Sequence, residues 1–117
     1  MTKHESLPYL EHMVDAINDI GSFTKGLTKS QFLKNKLRQS AVIRQLEIIG
    51  EASKNLPENF RQKYDEVEWK KIAGTRDKII HHYFGIDLNT VWDIIEKDLP
   101  DLKSKINAIL EARANKN

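Results

Sequence analysis

The densest group of side chains capable of chemistry lies in the ten residues that end at Gly85. It comprises an arginine, a carboxylate, two histidines and a tyrosine: Arg76, Asp77, His81, His82 and Tyr83. A histidine near neutral pKa can move protons, and a guanidinium can stabilise charge accumulating on phosphorus oxygens. These groups suit metal-free cleavage of RNA, which carries its own 2′-hydroxyl nucleophile. From composition alone, a solvated helix end is the simpler interpretation, because the helix dipole favours cations there.

The spacing of these residues predicts which of them lie on the same face of a helix. Asp77 and His81 lie four apart, on nearly one helix face, so the carboxylate can orient the imidazole ring and favour its protonated form. Arg76 and His81 lie five apart and diverge by roughly 140° on an ideal helix. One helix therefore brings them together poorly. A helix distorted at His81, or two copies packed about a two-fold axis, would form one cleft, and we expect a homodimer.

Other chemistries find little support in the chain. It has no cysteine, and its adjacent His81 and His82 point about 100° apart. Neither a His-x3-His pair nor a glycine-rich phosphate loop is present. We therefore expect no metal site and no cofactor.

Charge is segregated along the sequence. Residues 21–45, called here the basic segment, contain no Asp or Glu but six basic residues: Lys25, Lys29, Lys34, Lys36, Arg38 and Arg44. Such a segment suits a phosphate backbone or an acidic partner, although a solvated lysine-rich face is the commoner cause of a charge run. We expect Lys34, Lys36, Arg38 and Arg44 to contact RNA. Arg44 also begins a polar seam with Glu47 and Glu51, for which an ion pair within one helix is the simplest explanation.

Composition predicts one all-α domain, residues 1–117, folded as a compact helical bundle. Hydrophobic residues make up 39% of the chain and charged residues 31%, which is enough apolar material for one core. Five glycines and three prolines are too few for the turns of a sandwich or barrel of short strands. No apolar run is long enough to span a membrane, and we expect a cytoplasmic protein.

Apolar spacings of three and four predict the helices. The first runs from about Ser6 to Gly21. The second begins at Thr28 or Ser30, has a possible break near Asn35, and continues to about Ala52 as a central helix with neighbours on two sides. The remaining helices are expected at about Glu58 to Tyr64, at Glu66 or Val67 to His82, after a cap at Asp87, and from Pro100 onward. Trp69 and Trp92 are expected in the core or at a dimer contact.

Several blocks of the sequence resemble one family. Arg76-x4-His81-x-Tyr83 is followed by Phe84-Gly85-Ile86-Asp87, Val91-Trp92 and Asp98-Leu99-Pro100. Upstream, Arg38 to Arg44, Leu46 to Ala52 and Trp69 to Thr75 resemble the same family in the same order. On these blocks, from about Leu7 to Leu110, the chain resembles the HepT-like family of HEPN-domain proteins.

The resemblance implies a HEPN-type bundle that homodimerises and acts as a metal-independent endoribonuclease. It implies the toxin of a type VII-like toxin–antitoxin pair, with a minimal nucleotidyltransferase of the MNT type as antitoxin. Arg76 and His81 take the catalytic positions, Asp77 the polar position after the arginine, and Tyr83 the position that receives adenylyl groups. Many relatives have a small residue at the position of His82 and Asn at that of Asp77, so local geometry and charge differ here.

Two alternatives to the ribonuclease remain open from the sequence. One is a non-catalytic dimeric module that presents a substrate, or itself, to the nucleotidyltransferase. The other is a DNA-binding regulator that uses the basic segment.

Overall fold

A computed structural model of the chain describes residues 6–81 and 87–114, and for residues 76–81 it describes the helical backbone without the side chains. The described residues form seven α-helices joined by turns and one π-helical segment. The α-helices are α1 Leu7–Thr24, α2 Lys29–Leu33, α3 Lys36–Lys54, α4 Glu58–Lys63, α5 Trp69–His81, α6 Leu88–Asp93 and α7 Leu99–Ala114. No strand occurs within these ranges, which confirms the all-α prediction.

Side-chain caps set the boundaries of the second predicted helix. The Thr28 hydroxyl accepts a hydrogen bond from the Gln31 amide, and the Gln31 side chain accepts one from the Thr28 amide, so Thr28 starts α2. The Asn35 side chain accepts from the Arg38 amide at 3.0 Å and starts α3. The possible break near Asn35 is therefore confirmed.

Two predicted boundaries were wrong. The first helix continues past Gly21 to Thr24 and turns only at Gly26, whose φ of 78° is a conformation that favours glycine. The fifth helix begins at Trp69, because the Val67 amide donates to the Tyr64 carbonyl and the Trp69 amide to the Val67 carbonyl, which makes this stretch a turn.

Helix α3 is central, as predicted. Helices α1 and α5 both pack against it. The α1 side of α3 presents Ile48 and Ala52, whereas Leu46 and Ser53 lie toward α5. Because α3 has neighbours on two sides, apolar residues occupy more than one of its faces.

Both tryptophans belong to the core. Trp69 is 4% exposed and Trp92 is 8% exposed. The Trp92 ring lies 5.3 Å from the ring of Phe32 and joins α6 to α2. The choice between core and dimer contact is therefore decided in favour of the core.

The last two predicted helices are joined rather than separate. Asp87 caps α6 as predicted, accepting from the Asn89 amide at 2.9 Å. Helix α6 then passes through a π-helical segment, Ile94–Asp98, into α7, where the Leu99 amide donates to the Ile94 carbonyl five residues back. Pro100 lacks an amide hydrogen and its ring crowds the carbonyl four residues before it, so a wider turn accommodates it. No helix among the described residues is long and apolar enough to cross a membrane.

Candidate active site

Helix α5 carries the first part of the predicted motif. Its backbone is helical from Trp69 through His81, so Arg76, Asp77 and His81 keep the helical spacing expected from the sequence. On a regular helix of this length Arg76 and His81 diverge by about 140°. A helix distorted at His81 stays a prediction, because the residues that follow His81 lie outside the described residues. The predicted positions of His82, Tyr83 and Gly85 lie outside the described residues.

Buried contacts fix the beginning of α5. The Trp69 indole Nε1 donates to the Tyr64 carbonyl at 3.0 Å, and the Trp69 ring lies 6.2 Å from the ring of Phe60 on α4. The hydroxyl of Ser53, a residue with no exposed surface, donates to the Trp69 carbonyl at 3.2 Å. These bonds tie the start of α5 to the end of α3.

The register between α3 and α5 places the motif along the bundle. Ser53 of α3 contacts Trp69 of α5, and seven residues earlier on α3 Leu46 lines a cleft with Thr75, six residues later on α5. The two helices therefore run antiparallel. At 1.5 Å per residue, His81 lies about 18 Å beyond Trp69 and roughly level with Ala41. The end of α5 therefore lies at the same end of the bundle as the start of α3.

Three of the four predicted RNA-binding residues lie together at that end. Lys34, Lys36 and Arg38 occupy the α2–α3 junction, and all three are exposed. Within the described part of the chain, none of them forms an ion pair. The Gln39 side chain donates to the Phe32 carbonyl at 2.9 Å and braces the junction. We call Lys34, Lys36 and Arg38 the junction cluster.

Arg44 lies apart from the junction cluster. Its guanidinium is 3.4 Å from the Glu47 carboxylate and its side chain is 69% exposed, which confirms the predicted ion pair within one helix. The pair lines an open groove between α1 and α3 that also contains Tyr9 and His12. Exposed pairs of this kind contribute little to stability.

A cleft beside α5 was not predicted. It has a volume of about 210 Å³ and separates α5 from α7, with Leu46, Ile72 and Leu102 among its lining residues. Thr75, which immediately precedes Arg76, also lines it. The cleft forms between elements distant in sequence, so no local spacing could have indicated it.

The described residues contain no group of three or more His, Cys, Asp or Glu side chains arranged to hold a metal ion. Within the described ranges, the motif helix and the junction cluster lie at the same end of the bundle, and the three cations form no ion pair there. A nearby concentration of positive charge attracts phosphate groups.

One protein family matches most of the chain. The HepT-like family model, described as Ribonuclease HepT-like, matches residues 13–109. The chain therefore belongs to the HepT-like family, and its recognition from the sequence blocks is confirmed.

Named relatives are similar over most of the chain. A "Putative RNase" of Caldanaerobacter subterraneus subsp. tengcongensis is 44% identical, over 89% of this chain and 93% of the relative. A "Probable ribonuclease HepT" of Thermococcus cleftensis is 44% identical, over 92% of this chain and 97% of the relative. A "Gamma-glutamylcyclotransferase and putative RNase" of Methanocaldococcus jannaschii is 48% identical over 88% of this chain, which spans only 46% of that longer protein. No solved structure matches the chain.

Proposed function

We propose that this protein is an endoribonuclease that cleaves RNA without a metal ion. The observation that supports the proposal is the antiparallel register of α5 on α3, by which α5 ends at the end of the bundle that carries the junction cluster. Membership of the HepT-like family and the names of the relatives support the same activity.

In the proposed reaction, His81 takes the proton of a ribose 2′-hydroxyl. The 2′-oxygen forms a bond to phosphorus, the bond from phosphorus to the 5′-oxygen breaks, and the leaving oxygen receives a proton from a second imidazole. Arg76 stabilises the charge that develops on the non-bridging oxygens. Asp77 orients the ring of His81.

A homodimer would supply the second imidazole. Because Arg76 and His81 diverge by about 140° on a regular helix, one copy of α5 does not direct both at one phosphate. Two copies related by a two-fold axis would bring Arg76 and His81 of both protomers into one cleft, where the histidine of the other protomer is the second imidazole.

We also propose that the protein is a toxin neutralised by a minimal nucleotidyltransferase. Adenylylation of Tyr83, two residues after His81, would place an anion near Arg76. The attached phosphate would pair with the guanidinium and occupy the space of an RNA phosphate.

The test expresses wild type and His81→Ala without any partner and compares cell growth and total RNA. His12→Ala is the matched control, because His12 is an exposed histidine on α1, away from the motif helix. We expect wild type and the control to arrest growth and degrade RNA, and His81→Ala to do neither. If all three behave alike, the nuclease assignment is wrong and the non-catalytic substrate-presenting module is preferred.

Purified wild type should cleave RNA equally well in EDTA. Loss of activity on chelation, with rescue by one divalent ion, would contradict the metal-free reaction.

A further inference from the structure

Leu37 is the most exposed large hydrophobic side chain among the described residues. It is 78% exposed in the first turn of α3, whereas Leu7, the other large hydrophobic residue described as exposed, is 37% exposed. Helix α3 buries Val42, Leu46 and Ile49 in the core, so its register leaves Leu37 in water. Single exposed leucines are common in proteins and by themselves indicate nothing.

The exposed leucine lies among positively charged residues, which indicates what kind of ligand could cover it. Lys36 and Arg38 flank it in sequence and Lys34 lies three residues before it, at the end of α2, so the leucine lies within the junction cluster. There is no acidic residue between positions 21 and 45, and none of the three cations forms an ion pair within the part of the chain that the structure describes. A ligand that covers this surface must carry both negative charge and an apolar face.

Single-stranded RNA has both properties, because its phosphates are charged and its unstacked bases expose apolar faces. In an A-form duplex the bases are stacked and paired, and its shallow minor groove presents hydroxyls and base edges to a protein. Aliphatic side chains, leucine among them, contact nucleobases where a base step is opened.

We propose that Leu37 packs against an unstacked base of single-stranded RNA while the junction cluster holds the flanking phosphates. Leu37 thereby makes the protein select unpaired RNA over duplex. This inference rests on the proposed ribonuclease function and adds the structural class of the substrate.

The experiment measures binding of a fluorescent 12-nucleotide single-stranded RNA and of the same sequence as a duplex, by anisotropy across a series of salt concentrations. All proteins carry His81→Ala so that the probe is not cleaved. The variants are Leu37→Ser, Lys36→Gln and Leu7→Ser. Leu7→Ser is the matched control, because Leu7 begins α1 at the opposite end of the bundle.

We expect Leu37→Ser to weaken single-strand binding about tenfold, the order of magnitude for losing a buried leucine contact, without changing the salt slope. Lys36→Gln should weaken binding to both probes and reduce the slope for the single strand by about 0.7, the contribution of one phosphate contact. Leu7→Ser should match the parent protein.

Three outcomes would overturn the inference while the ribonuclease proposal survives. In the first, Leu37→Ser binds RNA as Leu7→Ser does; in the second, it weakens binding of duplex and single strand equally. In the third, it dissociates a dimer that the parent forms in sedimentation. The last result would assign Leu37 to a protein contact. If the parent binds neither RNA, the proposed function itself fails.

Discussion

Replacing Trp69 with phenylalanine tests whether the start of α5 is held by the indole hydrogen bond as well as by packing. The variant removes the N–H that donates to the Tyr64 carbonyl at 3.0 Å but keeps an aromatic ring against Phe60. The Tyr64 carbonyl keeps the bond from the Val67 amide at 3.3 Å, so the substitution strands no acceptor.

The expected cost has two parts. Loss of one intramolecular hydrogen bond costs about 1 kcal/mol of unfolding free energy. The smaller ring leaves a void at a residue that is 4% exposed, which adds about 1 kcal/mol. Trp69→Phe should therefore cost about 2 kcal/mol, whereas Trp69→Ala should cost about 3–5 kcal/mol, the range for deleting a large buried aromatic side chain.

Far-UV circular dichroism during urea and thermal unfolding measures both variants. At about 4 °C per kcal/mol for a chain of this size, the melting temperature of Trp69→Phe should fall by about 8 °C. A loss below about 0.5 kcal/mol would show that the indole bond and the lost ring volume do not matter. A loss equal to that of Trp69→Ala would show that the retained aromatic ring contributes nothing, and that the indole with its hydrogen bond fixes α5.

Three further predictions concern two glycines in and after α1, the cap of α6, and the proposed modification of Tyr83. Gly21→Ala should raise the unfolding free energy by about 0.5–1 kcal/mol because the helical site has open space, whereas Gly26→Ala should lower it by about 1 kcal/mol because its φ is 78°; denaturant titration checks both. The pKa of Asp87 is lowered from 3.8, first by the hydrogen bond from the Asn89 amide, so its stabilisation is present above about pH 4 and is lost as pH falls through the lowered value. The gap in unfolding midpoint between wild type and Asp87→Ala should therefore close in acid; a gap independent of pH would contradict the charged cap. Tyr83→Phe should keep nuclease activity but escape neutralisation by a co-expressed nucleotidyltransferase, and protection of cells equal to that of wild type would exclude Tyr83 as the switch.

The elements of the fold were predictable where local interactions decide them. The three-and-four spacing of apolar residues identified the helices, and Thr28, Asn35 and Asp87 marked helix starts because a cap is formed by neighbours in sequence. The last helix was predicted for the same reason, and Leu102 and Ile106 on it are buried. Gly21 was misassigned as a helix end, because continuation through a glycine depends on how the whole helix packs.

The sequence by itself determined the all-α class, the family, and which residues are candidates for chemistry, since these depend on residue type and on spacing along one chain. Only the tertiary structure decided what those residues lie beside. It separated Arg44, paired with Glu47, from Lys34, Lys36 and Arg38. Through the bond from Ser53 to Trp69 it also set the antiparallel register that brings the end of α5 to the basic end of the bundle. Contacts between residues 16 apart, such as this one, depend on how whole helices pack. The spacing of neighbouring residues does not determine that packing.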